Sequence, residues 1–131
     1  MKKIKENVKI LVGLDGSTHS TWALLEAISI AKKFSGSIKA ITVYKRGTID
    51  EATKIQHKAK QLLEEEKIDC SFSAILGSNP SLALVNTARN ENFDLIVVGS
   101  RGLSDAASFL IGSVSRKVVS KADCNVLVIK K

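Results

Sequence analysis

Val8-Lys9-Ile10-Leu11-Val12-Gly13-Leu14-Asp15-Gly16-Ser17 carries the chain from a run of branched apolar side chains straight into a polar turn. Neighbouring residues of a strand point to opposite faces, so consecutive apolar positions predict a strand covered on both sides, as in parallel sheets. Asp15-Gly16-Ser17 forms a turn able to cap a helix that begins near Thr18. In that helix Leu24, Ala27, Ile28, Ala31 and Phe34 recur every three or four positions and define one apolar face. Gly36 follows its last turn and is placed to close it in the left-handed conformation.

The same alternation continues outward. A second strand is expected over 38–44, then a helix over 49–66 with Ile55, Ala59, Leu62 and Leu63 facing inward. The stretch 69–75 alternates polar and apolar residues and predicts an edge strand with one wet face. Gly77-Ser78-Asn79-Pro80 breaks the chain before a helix over 81–91, with Pro80 at its start, where a missing N–H costs little. The fourth strand, 94–99, is the most apolar and is expected near the centre. After the stretch 100–112 come a short helix, 113–121, and a last strand, 125–130. This pattern predicts one α/β domain over 1–131: a Rossmann-like open five-stranded parallel sheet with helices on both faces. Right-handed crossovers favour the order 3-2-1-4-5. Winding then reverses between strands 1 and 4, and ligands of open α/β sheets bind beyond the carboxyl ends at such a reversal. Asp15 and Gly99 stand at those ends.

Composition narrows the function classes. The chain has 131 residues, 44% of them hydrophobic and 25% charged, an ordinary globular balance. No apolar run approaches the ~18 residues of a membrane span. The basic start, Met1 to Lys9, leads into an apolar run that Gly13 interrupts and Asp15 ends, too short for a signal peptide, so a cytoplasmic protein is expected. Cys70 and Cys124 belong to no CxxC pair and are expected to be buried free thiols that hold no metal. The net charge of +7 raises nucleic acid as a partner, but the lysines are dispersed and aromatics make up only 5%. A solvated basic surface that attracts anionic ligands is the preferred reading.

The informative segment reads Gly99-Ser100-Arg101-Gly102, nine further residues, then Gly112-Ser113. Gly99 leaves a strand where bulky side chains would close the crevice, and Gly102 allows positive φ or close approach of the backbone to an oxyanion. Gly112-Ser113 opens a helix, so the N–H groups of Ser113, Val114 and Ser115 face an anion at the positive end of the helix dipole. The hydroxyls of Ser113 and Ser115 and the guanidinium of Arg101 add donors and charge. Such a set suits a polyphosphate, and Asp15 at the adjacent strand end can accept ribose hydroxyls. The spacing matches neither GxGxxG nor GxxxxGK[ST].

Taken together, these residues resemble the universal stress protein family over essentially the whole chain. Gly99, Gly102, Gly112 and Ser113 match the G-x2-G-x9-G-[ST] motif of its ATP-binding branch without gaps, and Asp15-Gly16-Ser17 is similar to its first-strand motif. The resemblance implies that Asp15 contacts ribose or adenine and that Gly13 lines the adenine side. It implies that the Val43 backbone reads the adenine edge, that Val98 and Gly99 border base and sugar, and that Gly102, Gly112, Ser113 and Val114 surround the phosphates. ATP is the implied ligand, with Mg²⁺ or Mn²⁺ bridging phosphate oxygens. Two features depart from the family: Asn125 replaces a common proline before the last strand, and the connection from Lys45 to Ile49 is short.

The expected function is a nucleotide-responsive regulatory or scaffold protein whose 100–112 stretch is ordered by ATP and read by a protein partner not identified by the sequence. A homodimer is expected through Val126 to Ile129, an apolar edge that soluble proteins cover, and the resemblance implies the same pairing. Two alternatives stand beside it: a slow ATPase or phosphotransfer enzyme using His19 or Asp105, and an interaction module with little nucleotide binding. His19 is otherwise expected on the surface near the pocket rim, and Trp22 in packing or a subunit contact. No Ser-His-Asp, Cys-His or paired-carboxylate set can be assembled.

Overall fold

Five strands and four helices alternate along residues 7–101 and 112–130, which a computed structural model describes. They are β1 (Lys9–Gly13), α1 (Thr18–Lys33), β2 (Ser37–Tyr44), α2 (Ile49–Glu65), β3 (Asp69–Leu76), α3 (Pro80–Asn90), β4 (Leu95–Gly99), α4 (Ser113–Lys121) and β5 (Asn125–Ile129). All strands are parallel in the order β3-β2-β1-β4-β5, the order expected from the sequence. β1 is the middle strand, and β4, expected near the centre, lies between β1 and the edge strand β5.

Burial explains why β1 is apolar at every step. Ile10 and Val12 pack into a cluster with Leu24 and Ala27 of α1 and Ala59 and Leu63 of α2. Leu11 points the other way and joins Ile96 and Val98, with Leu84 of α3 and Val118 of α4. Each face of the sheet therefore carries two helices, and Ile10, Leu11 and Val12 are all 0% exposed. β3 lies at the other edge, as its sequence predicts, and its alternation of exposed and half-buried residues breaks where Phe72 and Ser73 are both half-buried. β5 is half-buried throughout.

Asp94 fastens the amino end of the sheet. Its backbone N–H donates to the Lys9 carbonyl and its Oδ2 accepts the Lys9 N–H, both at 2.9 Å. The Lys9 ammonium lies 4.7 Å from the centre of the Phe93 ring. β4 begins at Leu95, one residue later than expected, directly after this clip.

The close of α1 corrects one expectation. The left-handed residue is Ser35, at φ 51°, and not Gly36. The Gly36 N–H donates to the Ala31 carbonyl at 2.8 Å, the six-to-one bond of a Schellman ending. Glycine is needed at 36 for space: a Cβ there would lie 2.5 Å from Val8 Cγ1 and 2.6 Å from the Val8 carbonyl oxygen.

Cys70 and Cys124 form no disulfide and are half-buried where full burial was expected. Burial pushes the Cys70 thiol above its ordinary pKa, and the Glu64 and Asp69 carboxylates add to the shift against Lys60. No helix among the described residues is long and apolar enough to cross a membrane.

Two outcomes are expected. Thr42 is 3% exposed and its hydroxyl has no hydrogen-bond partner among the described residues, so Thr42→Val removes a buried unpaired group at nearly constant shape. It raises stability in urea by about 1 kcal/mol, the low end of such a penalty. With Cys124 replaced by serine, Cys70 alkylates more slowly than a free cysteine peptide at pH 8, because less of it is thiolate. The difference closes as pH rises above the Cys70 pKa.

Candidate functional site

The turn from β1 into α1 sets the acidic side of the site. Gly16 adopts φ +86°, which glycine tolerates at no steric cost. The Ser17 N–H donates to Asp15 Oδ1 at 2.9 Å, and Ser17 Oγ in turn accepts the Ser20 N–H at 3.1 Å as the helix cap. These bonds hold Asp15 at the carboxyl end of β1, on the rim of a crevice with about 580 Å³ of empty space counted out to solvent.

β1 turns away at Leu14, whose N–H donates to the Ile41 carbonyl at 2.8 Å. On the far side of β2 the Tyr44 carbonyl accepts the Gly77 N–H at 2.9 Å. Backbone polar groups alternate sides along a strand, so the N–H and C=O of Val43 face the β1 side, past the point where β1 has left. Val43 thus offers a donor and an acceptor side by side at one end of the crevice. Ile41 lines the crevice beside it, Gly13, Leu14, Val98 and Gly99 continue it, and Pro80 and Leu84 of α3 form one wall.

α4 supplies the opposite end. Its cap residue Gly112 donates its N–H to the Ser100 carbonyl and has no side chain to satisfy the first turn. The first-turn N–H groups lack intrahelical acceptors and mark the positive end of the helix dipole. Val114 and Ser115 line the crevice, whereas Ser113 is exposed at the helix start. Ser115 differs from its expected role. Its buried hydroxyl lies 3.1 Å from both the Ser100 and the Gly112 carbonyls, so its proton holds α4 against the end of β4.

Gly99 lines the crevice and has a further task that the sequence does not show. A Cβ there would lie 2.6 Å from His19 Cβ and 2.7–2.8 Å from the His19 backbone carbonyl, so its absence lets the first turn of α1 press onto β4. Arg101 reaches the crevice, and its Nη2 lies 3.3 Å from His19 Nε2. The His19 ring meets Trp22 edge-on at 4.9 Å. Gly102 and Asp105 lie outside the described residues.

Asp15, Gly13, Val43, Val98, Gly99, Arg101, Val114 and Ser115 are brought together around one crevice. Leu84, Pro80, Ile41 and the small side chains of Ser17 and Ser20 complete it and were missed in the sequence. Leu84 and Ile41 follow the ordinary apolar periodicity of core residues, so no local signal sets them apart. No group of three or more His, Cys, Asp or Glu side chains among the described residues could hold a metal ion.

Comparison with known proteins gives one family. Residues 7–130 match the model of the universal stress protein family. A putative universal stress protein of Staphylococcus aureus is 29% identical over 92% of this chain and 82% of its own length. The crystal structure of a universal stress protein in complex with cAMP is 31% identical, with a TM-score of 0.77 over 94% of this chain and 96% of that one. The universal stress protein of Archaeoglobus fulgidus in complex with dAMP superposes with a TM-score of 0.78 at 23% identity, covering 94% of this chain and 98% of that one.

The two strand-end glycines are expected to differ in cost. A Cβ at Gly99 meets backbone, whereas one at Gly13 meets the mobile tip of Leu84 at 3.1 Å. In urea titrations Gly99→Ala therefore destabilises by about 2–3 kcal/mol, the range of overpacked sites, and Gly13→Ala by clearly less.

Proposed function

This chain belongs to the universal stress protein family, and we propose that it is an ATP-binding regulatory or scaffold protein of the stress response. The observation that carries the reading is the line of chemistry across the crevice. Val43 presents an amide donor and acceptor over β2, Asp15 a carboxylate beyond β1, and α4 its first-turn amides beside β4. Adenine carries a ring acceptor beside an exocyclic amine donor, the complement of one residue's N–H and C=O. A ribose in the middle brings hydroxyl donors to Asp15, whose ionised carboxylate only accepts. The remaining end is cationic in character and suits the phosphates. The cAMP complex of the 31%-identical relative supports an adenine nucleotide as the ligand class.

Gly13 and the apolar Val98 and Leu84 leave a slot for the flat base, while Gly99, Gly102, Gly112, Ser113 and Val114 belong with sugar and phosphates. Arg101 adds a fixed positive charge, and Ser115 acts by fixing α4. Mg²⁺ or Mn²⁺ would accompany the nucleotide through its phosphate oxygens. The protein works in the cytoplasm as a homodimer paired through β5, and a protein partner reads its nucleotide state.

Calorimetry with the full chain tests the ligand. ATP and AMP bind, GTP binds at least about tenfold more weakly because guanine reverses the donor and acceptor that face Val43, and Asp15→Ala weakens both adenine nucleotides by about tenfold, the worth of a hydrogen bond to a charged group. Absence of heat from ATP at millimolar concentration, with the protein folded, rejects the proposal.

A further inference from the structure

His19 stands outside the crevice lining, yet three contacts fix it. Gly99 lets its backbone rest on the end of β4, where an added methyl would lie 2.6 Å from its Cβ. Trp22, one turn further along α1, meets its ring edge-on at 4.9 Å and 64°. Its Nε2 lies 3.3 Å from Arg101 Nη2. Guanidinium has donors and no acceptor, so a hydrogen bond in this contact has Arg101 donating and the imidazole Nε2 accepting.

Resting on the nucleotide reading above, we propose that His19 is a positioning residue: it holds the Arg101 guanidinium at the phosphate end of the crevice and so makes the protein favour nucleotides with longer phosphate chains. Arg101 follows Ser100, whose carbonyl receives the Gly112 N–H at the start of α4, so its backbone leaves β4 beside that helix end, and Arg101 itself lines the crevice. A long, rotamer-rich side chain loses much of its charge–charge gain to the entropy of being ordered. An arginine already held by an imidazole has met part of that cost before the ligand arrives. Adenosine does not reach Arg101 and gains nothing. The benefit grows with the negative charge delivered to that end, so it is larger for ATP than for AMP.

Trp22 is the only tryptophan in the chain, and its contact with His19 makes it a reporter. Binding of ATP, AMP and adenosine is measured calorimetrically on the full-length wild type and on Arg101→Ala, His19→Ala and His19→Gln, with Trp22 emission followed in parallel. Glutamine keeps a carbonyl acceptor for the guanidinium. In the wild type ATP binds more tightly than adenosine and shifts Trp22 emission, whereas adenosine leaves it unchanged. Arg101→Ala and His19→Ala each reduce the ATP-to-adenosine affinity ratio by about fivefold or more, and His19→Gln recovers most of the loss.

An unchanged ratio in His19→Ala, a His19→Gln variant as impaired as His19→Ala, or equal Trp22 emission with ATP and without it overturns the proposal. If His19→Ala does not fold, wild-type emission and His19→Gln decide. Adenosine binding with no preference for ATP defeats this inference alone. A wild type that binds none of the three defeats the nucleotide reading as well.

Discussion

A strand buried on both faces has to stop where its chain can turn, and the end of β1 at Leu14 is the constraint on which the site rests. Ile10, Leu11 and Val12 are covered by helices above and below, so the chain can leave the sheet only at its tip. The crossovers to its two neighbours run on opposite faces: α1 leads to β2 on one, and α3 leads into β4 on the other. Between those departures the strand ends on either side extend past β1 with their backbone groups uncovered. The cavity is thus a geometric by-product of burying the middle strand from both sides.

Polar groups around that opening are arranged by short local bonds. The Asp15–Ser17–Ser20 relay runs between near neighbours in the chain and sets a carboxylate at the rim. On the far side Ser115 spends its hydroxyl on the Ser100 and Gly112 carbonyls. Buried hydroxyls are kept where they find such partners. Thr42 is the contrasting case, paying for burial with no partner among the described residues.

Much of this was legible in the residues themselves. Apolar runs within 8–14 and 94–99 identified interior parallel strands, and the alternation at 69–75 identified an edge, because periodicity follows directly from which faces are covered. Asp15 and the α4 start were legible as well, since caps and turns have chemical signatures. The glycines were harder. Gly36 read as a conformational device and Gly99 as space for the crevice, but at each another segment's backbone approaches within a methyl's reach, a long-range fact that sequence does not display. Leu84 and Ile41 were invisible for the related reason that an apolar wall and an apolar core use the same alphabet. The pairing of His19 with Arg101 joins positions 82 residues apart and needed coordinates.

The bonds at Ser100 tie two elements to one atom. The Gly112 N–H donates to the Ser100 carbonyl and the Ser115 hydroxyl reaches the same oxygen, so the end of β4 and the start of α4 share a single anchor. A shift of that carbonyl moves strand and helix as one body, and the amides that open α4 keep their aim only while the Ser100 carbonyl keeps its place.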